Sequence, residues 1–222
     1  MDPSLTSVEL GRRLREVIPG AALGVLALPD APNIRLALLQ PSYPQHLLDS
    51  EAITKIMNTP MYWAFCWASG QVLARLIMDN PHYVKGRRVL DFGAGSGVAG
   101  IAAALAGARE VVVCDNDPLA LLACQRNAQI NGVTLKLSPA FESYEGAIDI
   151  ILASDVLYDR ENLGWLEVFL RRAPSVLVAD SRIRDFRAKN YQLISTSSSY
   201  TLPDLDESLD FRLVKVYLGR VA

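Results

Sequence analysis

The sequence predicts an α/β fold: a mostly parallel seven-stranded sheet with helices on both faces, plus an N-terminal helix and β-hairpin. Three observations point there. Short apolar runs alternate with helix-period patterns from residue 88 to residue 180, the order that builds parallel sheets with right-handed crossovers. The first of those runs ends in Asp91-Phe92-Gly93-Ala94-Gly95-Ser96-Gly97, a glycine-rich turn that leads into a helix. The second, Val111-Val112-Val113-Cys114, ends in Asp115, about 22 residues after Gly93.

The elements follow in order. Residues 4–18 set Leu5, Val8, Leu14, Val17 and Ile18 on a helical stripe with arginines between, and Pro19-Gly20 breaks it. Residues 23–28 and 34–39 read as two strands around Pro29-Asp30-Ala31-Pro32-Asn33, a hairpin. Ser50-Glu51 opens a short helix through Met57, which Thr59-Pro60 ends. Residues 61–67 are the densest aromatic cluster. Ser69-Gly70 then leads into a helix with Val72, Leu73, Leu76 and Ile77 on one face, closed by Asn80-Pro81. After the glycine turn, Val98, Ile101, Ala102 and Leu105 give a helix over 97–106, stopped at Gly107. Strand 110–114 follows. Helix 118–131 has Asp117 as N-cap and Pro118 in its first position. Strands 133–137 and 148–153, helix 161–172 and strand 175–180 continue the alternation. Helix 185–191 and strands 192–200 and 211–218 complete it. Residues 1–60 are expected to pack as an extension on a core of residues 61–222.

Charge decides what the glycine turn binds. An acid at its mouth, Asp91, would repel a phosphate in a low-dielectric cleft and welcome a cation. S-adenosylmethionine carries an ammonium and a sulfonium and no phosphate. Asp91-x-Gly93-x-Gly95-x-Gly97 accordingly resembles the first motif of the class I methyltransferases. Gly95-x-Gly97-x-x-Gly100 also fits the dinucleotide fingerprint, so an NAD-dependent oxidoreductase stays open. Asp115 is placed to accept both ribose hydroxyls, with Asn116 beside the adenine. Glu142 could accept from the adenine amino group or be an exposed loop acid. Trp63 and Trp67 could cover the adenine or the methionine arm, where a cation–π contact is worth on the order of 1–2 kcal/mol. Core packing is the alternative for these aromatics, as it is for Tyr62 and Phe65. The fourth strand ends in Ser154-Asp155-Val156-Leu157-Tyr158-Asp159. Asp155 and Tyr158 could line the entry of the methyl acceptor, or Asp155 could cap a turn. The spacing is similar to the Asn-Pro-Pro-Tyr motif of amino-directed methyltransferases, without its prolines. Arg182 could orient an acidic substrate surface or be a solvated loop residue.

Composition narrows the field. The chain has 222 residues, 50% hydrophobic and 21% charged, with a net charge of −2, which argues against non-specific binding to nucleic acid. Cys66, Cys114 and Cys124 lack metal-ligand spacing. The only histidines are His46 and His82, so neither a zinc site nor a histidine triad is expected. Free thiols fit a reducing compartment. No apolar run approaches 18 residues, so no membrane span is expected. Glu9 and Glu16 among Arg12, Arg13 and Arg15 match neither a signal peptide nor a transit peptide.

Nearly the whole chain resembles the lysine methyltransferases of the electron-transfer flavoprotein beta subunit, a branch of the seven-strand class I protein-lysine methyltransferases. The resemblance is carried by Ile34-Arg35-Leu36-Ala37-Leu38-Leu39, by residues 62–71, by the glycine turn and by residues 155–159. It implies S-adenosylmethionine as cofactor, a Rossmann-like fold, a lysine acceptor on that subunit, Asp155 and Tyr158 at the acceptor site, and bacterial or mitochondrial members; without a transit-peptide pattern this chain is expected to be bacterial and cytoplasmic. In that mechanism Asp155 guides a lysine ammonium in and Tyr158 orients the free amine. No strong dedicated base is required. Other acceptors (a ribosomal protein, a small amine, RNA) and a cofactor-binding module without turnover are the alternatives.

Overall fold

Strands that are apolar on both faces must be covered on both, and the central strands are. The computed structural model describes residues 3–42, 60–157, 160–183, 186–205 and 207–221. Helix α1 (Pro3–Val17) and the hairpin of β1 (Leu23–Ala27) and β2 (Arg35–Leu39) come first. Then follow α2 (Ala68–Asp79), β3 (Arg88–Phe92), α3 (Val98–Leu105), β4 (Glu110–Cys114), α4 (Pro118–Ile130), β5 (Lys136–Ser138) and β6 (Ile150–Ser154). Helix α5 (Trp165–Arg172), β7 (Ser175–Asp180), β8 (Tyr191–Ser198) and β9 (Leu213–Arg220) complete the order. The seven-stranded sheet runs β5-β4-β3-β6-β7-β9-β8. Its first five strands are parallel, and β9 is antiparallel to both β7 and β8. The strand order reverses between β3 and β6, where ligands of such sheets bind outside the strand carboxyl ends.

Alternate residues of β6 serve opposite layers. Ile150 and Leu152 join a core with α2, α3 and the hairpin residues Leu28, Ile34, Leu36 and Leu38. Ile151 and Ala153 join the other core, closed by Leu166 and Phe169 of α5. A third cluster packs Leu10 and Leu14 of α1 on Ala120 and Ala123 of α4. The N-terminal elements are thus built into the interior.

Helix α4 also supplies the missing partners of the hairpin edge. Asn131 accepts from Arg35 N–H at 3.0 Å and donates back to the Arg35 carbonyl at 2.6 Å. Asn127, fully buried, accepts from Ala37 N–H at 2.7 Å and donates to the Ser96 carbonyl in the glycine turn at 2.8 Å. One amide therefore fastens the hairpin to the turn.

Some boundaries differ from expectation. Residues 161–164 belong to a 3-10 turn (Arg160–Gly164), and α5 begins at Trp165. Strand β5 spans three residues, since it pairs only with Val112–Cys114 of β4. The predicted helix over 185–191 does not form. Phe186 stacks on Tyr217 with ring centroids 3.9 Å apart, and Tyr191 already pairs with Gly219, so residues 186–190 run to β8 without helix. The predicted helix from Ser50 to Met57 lies outside the described residues. No helix among the described residues is long and apolar enough to cross a membrane.

Truncating Asn127 leaves a buried N–H and a buried carbonyl unpaired, each costing about 1–3 kcal/mol. Asn127→Ala is expected to lower the unfolding free energy by about 2–4 kcal/mol, read from the urea midpoint at unchanged m-value.

Candidate functional site

The turn after β3 is pinned from both sides. Gly93 and Ala94 N–H donate to the Cys114 carbonyl at 2.9 and 3.1 Å, which draws the turn against β4. Gly97 N–H closes it on the Ala94 carbonyl at 2.7 Å. Gly97 has φ +80°, and a Cβ there would stand 3.0 Å from the Cys124 sulfur and 3.2 Å from the Cys124 Cα. Gly95 has φ +52°, and no atom lies within 4 Å of its Cβ position, so bare backbone faces open space.

Two strand-end acids hold this turn. Asp91 lies beneath it, 1% exposed, and its Oδ2 accepts from Gly100 N–H at 2.8 Å. Burial pushes its carboxyl up to about 7, against the pull of that N–H and with help from the nearby Asp115 charge. Asp115 is half-buried at the end of β4. Its Oδ2 accepts from Gly95 N–H at 2.9 Å and its Oδ1 from Asp117 N–H at 3.0 Å. Burial raises its pKa and the N–H bonds oppose the rise. Asp117 caps α4 through Leu119 N–H, as its sequence position predicts.

The third acid follows β6. Asp155 has φ +53°, an uncommon conformation for a non-glycine residue. Its Oδ2 accepts from Ser69 N–H at 3.1 Å and its Oδ1 from Ser69 Oγ at 2.6 Å, both at the start of α2. Ser181 Oγ donates to Oδ1 at 3.3 Å. Burial lifts the Asp155 carboxyl to about 6; the Ser69 hydroxyl opposes that and the Asp180 charge adds to it. Asp180 ends β7 at 2% exposure, with Oδ1 accepting from Arg182 and Ile183 N–H at 2.7 and 2.8 Å. Its pKa is raised by burial, which these amides and that of Leu157 oppose.

The other expected residues divide. Asn116 is exposed just beyond β4, and Glu142 is exposed beyond β5. Burial, Asp115, Glu142 and Asp91 together push the Cys114 thiol up to about 12, so these acids surround the end of β4. Trp67 occupies the N-cap of α2 and donates from Nε1 to the Tyr62 carbonyl at 3.1 Å. Trp63 is a correction. It is 1% exposed and packs with Leu10, Leu14 and Ala120, because α1 and α4 need a large apolar side chain between them. Asp91 is a second correction, since its carboxylate turns inward to Gly100 rather than standing at the mouth. Arg182 is not free for an acidic surface: it pairs with Glu207, and its guanidinium lies 4.1 Å from the Phe211 ring centroid. Tyr158 lies outside the described residues. Ser69, Ser181 and Asp180 escaped the sequence reading. Asp180 carried the same signal as Asp115, an acid closing an apolar strand.

Residues 75–158 match the family model described as ribosomal protein L11 methyltransferase (PrmA). The electron transfer flavoprotein beta subunit lysine methyltransferase of Mus musculus is 33% identical over 156 residues, 64% of this chain and 60% of its own. The Xenopus laevis protein of that name is 36% identical over 148 residues, 65% of this chain and 59% of its own. The crystal structure of ribosomal protein L11 methylase from Lactobacillus delbrueckii subsp. bulgaricus superposes with a TM-score of 0.53 at 23% identity. It covers 69% of this chain and 79% of that one. The chain has the class I methyltransferase fold. By sequence it is similar to the electron transfer flavoprotein beta subunit lysine methyltransferases, and it spans about 60% of the length of the first relatives it matches.

S-adenosylmethionine, the cofactor expected from the sequence, fits the residues present. Gly95 leaves open space over the turn, and each Asp115 oxygen takes one N–H and keeps acceptor capacity for a ribose hydroxyl.

The raised Asp91 pKa makes a stability prediction. The folded value, about 7, exceeds the ordinary value of 3.8, so the native state binds this proton more tightly than the unfolded chain. The stabilisation is complete below about pH 4 and is lost as pH rises through about 7. Asp91→Asn keeps an acceptor for Gly100 and removes the titration. Its Tm relative to wild type is expected to climb between about pH 5 and 8, as followed by thermal melts across that range.

Proposed function

We propose that this chain is an S-adenosylmethionine-dependent protein-lysine N-methyltransferase whose acceptor is the electron transfer flavoprotein beta subunit. The observation that carries the reading is the place of Asp155. It follows β6, the strand beside β3, so an ionisable carboxylate stands next to the glycine turn at the switch point of the sheet. The homology to lysine methyltransferases supports the acceptor.

The cofactor supplies an electrophilic methyl group. Asp115 holds the ribose hydroxyls, and the Gly93–Gly97 backbone accommodates the methionine arm. Asn116 and Glu142 would contribute to the adenine side of the site, and Trp67 would cover its entrance. A lysine arrives as an ammonium with a reference pKa of about 10.4. Burial beside a sulfonium lowers that value. Asp155 attracts the ammonium and orients it. A carboxyl titrating at about 6 is too weak a base to keep the proton, which passes on to water. Tyr158 orients the free amine, a role read from the sequence. In-line positioning provides most of the remaining acceleration. The setting proposed is the cytoplasm.

A second reading, ribosomal protein L11 as acceptor, is favoured by the family match over residues 75–158. Intact-mass spectrometry of each candidate acceptor, incubated with enzyme and cofactor, separates the two. Increments of about 14 Da on the flavoprotein subunit are expected. Increments on L11 alone would replace the acceptor, and increments on neither would remove both. Within the proposal, Asp115→Ala should weaken S-adenosylhomocysteine binding about tenfold or more. Asp155→Asn should leave that affinity within about threefold while transfer collapses, because only charge toward the ammonium is lost. Calorimetry beside the transfer assay checks both; lost binding in Asp155→Asn would move Asp155 to the cofactor side.

A further inference from the structure

Helix α2 starts without a cap of its own. Trp67 stands at the N-cap and its side chain bonds none of the first-turn amides. A helix start leaves N–H groups unsatisfied and carries partial positive charge. The partner comes from 86 residues away: Asp155 takes both the backbone N–H and the hydroxyl of Ser69. Capping alone would need only a serine or aspartate at position 67. Instead the acid sits in a left-handed backbone conformation, φ +53°, of a kind that costs about 1–3 kcal/mol and is kept where surroundings impose it.

A carboxylate offers about four acceptor positions. On Asp155, Oδ1 receives two hydroxyls, Ser69 at 2.6 Å and Ser181 at 3.3 Å. Oδ2 receives one N–H, at 3.1 Å, and keeps a position vacant. We infer that Ser69 is the positioning residue of the acceptor site, holding Asp155 by Oδ1 so that the remaining lone pair of Oδ2 receives the acceptor ammonium. This rests on the methyltransferase reading.

The surroundings fit that role. Among the described residues the charged groups acting on Asp155 are Asp180 at the end of β7, which raises its pKa, and Arg182 beyond β7, which lowers it. Arg182 is itself neutralised by Glu207. Just before α2 lies Cys66, a buried thiol pushed well above its ordinary range by burial and by the Asp155 charge. The Ser69 hydroxyl is therefore the main influence that keeps Asp155 ionised near neutrality. The same helix start abuts the cofactor turn. A Cβ on Gly70 would lie 2.8 Å from Val98 Cγ1, the first residue of α3. Ser69 thus ties the acceptor carboxylate to a wall shared with the glycine turn.

The test is a carbon-13 titration of the Asp155 carboxyl by NMR in the full chain, with Ser69→Ala, Ser69→Cys and Ser69→Thr. Loss of the hydroxyl in Ser69→Ala should raise the midpoint from about 6 by about one unit. Ser69→Cys, with a weak donor of similar size, should move it the same way and decides the matter if the alanine variant does not fold. Ser69→Thr should restore it. With the flavoprotein subunit as acceptor, KM for Ser69→Ala should rise about threefold near pH 6.5 and converge on wild type near pH 8.5, as the ionised fraction dictates. Affinity for S-adenosylhomocysteine should stay within about threefold. An unchanged midpoint, or a KM rise equal at all pH, would reduce Ser69 to a helix-capping partner and overturn the inference. A wild-type protein that methylates nothing would instead sink the function, while the titration still reports on Ser69.

Discussion

Four buried or half-buried aspartates close four neighbouring parallel strands, and each accepts from at least one main-chain N–H group. Asp91 ends near β3 and holds Gly100; Asp115 follows β4 and holds Gly95 and Asp117. Asp155 follows β6 and holds Ser69; Asp180 closes β7 and holds Arg182 and Ile183. A loop has few apolar contacts with which to fix its shape, whereas a desolvated carboxylate costs several kcal/mol if left unpaired. The loops at this edge must therefore keep their N–H groups aimed inward. The site's geometry depends on that constraint more than on any packing contact.

The same constraint explains the raised pKa values. Backbone amides lower a carboxyl's pKa, and burial raises it. At Asp91 and Asp155 burial wins, leaving values of about 7 and 6. Both groups therefore change charge in the range where the protein would work. The two differ in what charge means to them. Asp91 is sealed under the turn and its titration bears on stability. Asp155 lies at the start of α2, and under the proposed function its titration would bear on how strongly a cation is drawn in.

The parallel strands were legible because their chemistry is local. Val111-Val112-Val113 can only be an interior strand, and Asp117-Pro118 can only start a helix at one place. The hairpin was legible for the same reason. Trp63 and Asp91 were misread because a sequence shows residue type and spacing but not which side a chain turns. The indole went inward to fill the gap between α1 and α4, and the carboxylate turned under its own loop. Residues 185–191 have a helical composition, yet Phe186 stacks on Tyr217 and residues 186–190 run as coil and turn into β8, where Tyr191 pairs with Gly219. Ser69 was hidden by distance, since its partner lies on another strand.

The charge pattern finally bears on the kind of ligand this edge can accept. The side chains aimed at it are carboxylates and hydroxyls. The nearby guanidinium of Arg182 is consumed by Glu207 and by the Phe211 ring, and that of Arg212 pairs with Asp204. A pyrophosphate would meet acids here, with neither of these two arginines free to offset them. A sulfonium cofactor and an ammonium acceptor are both cations, and bringing them together in a low-dielectric site costs Coulomb energy. In the proposed reaction Asp155 would reduce that cost while the lysine is charged and exert less pull once it is neutral. In the proposed reaction the repulsion would also favour loss of the lysine proton, so the neutral amine would form without a strong base among the described residues.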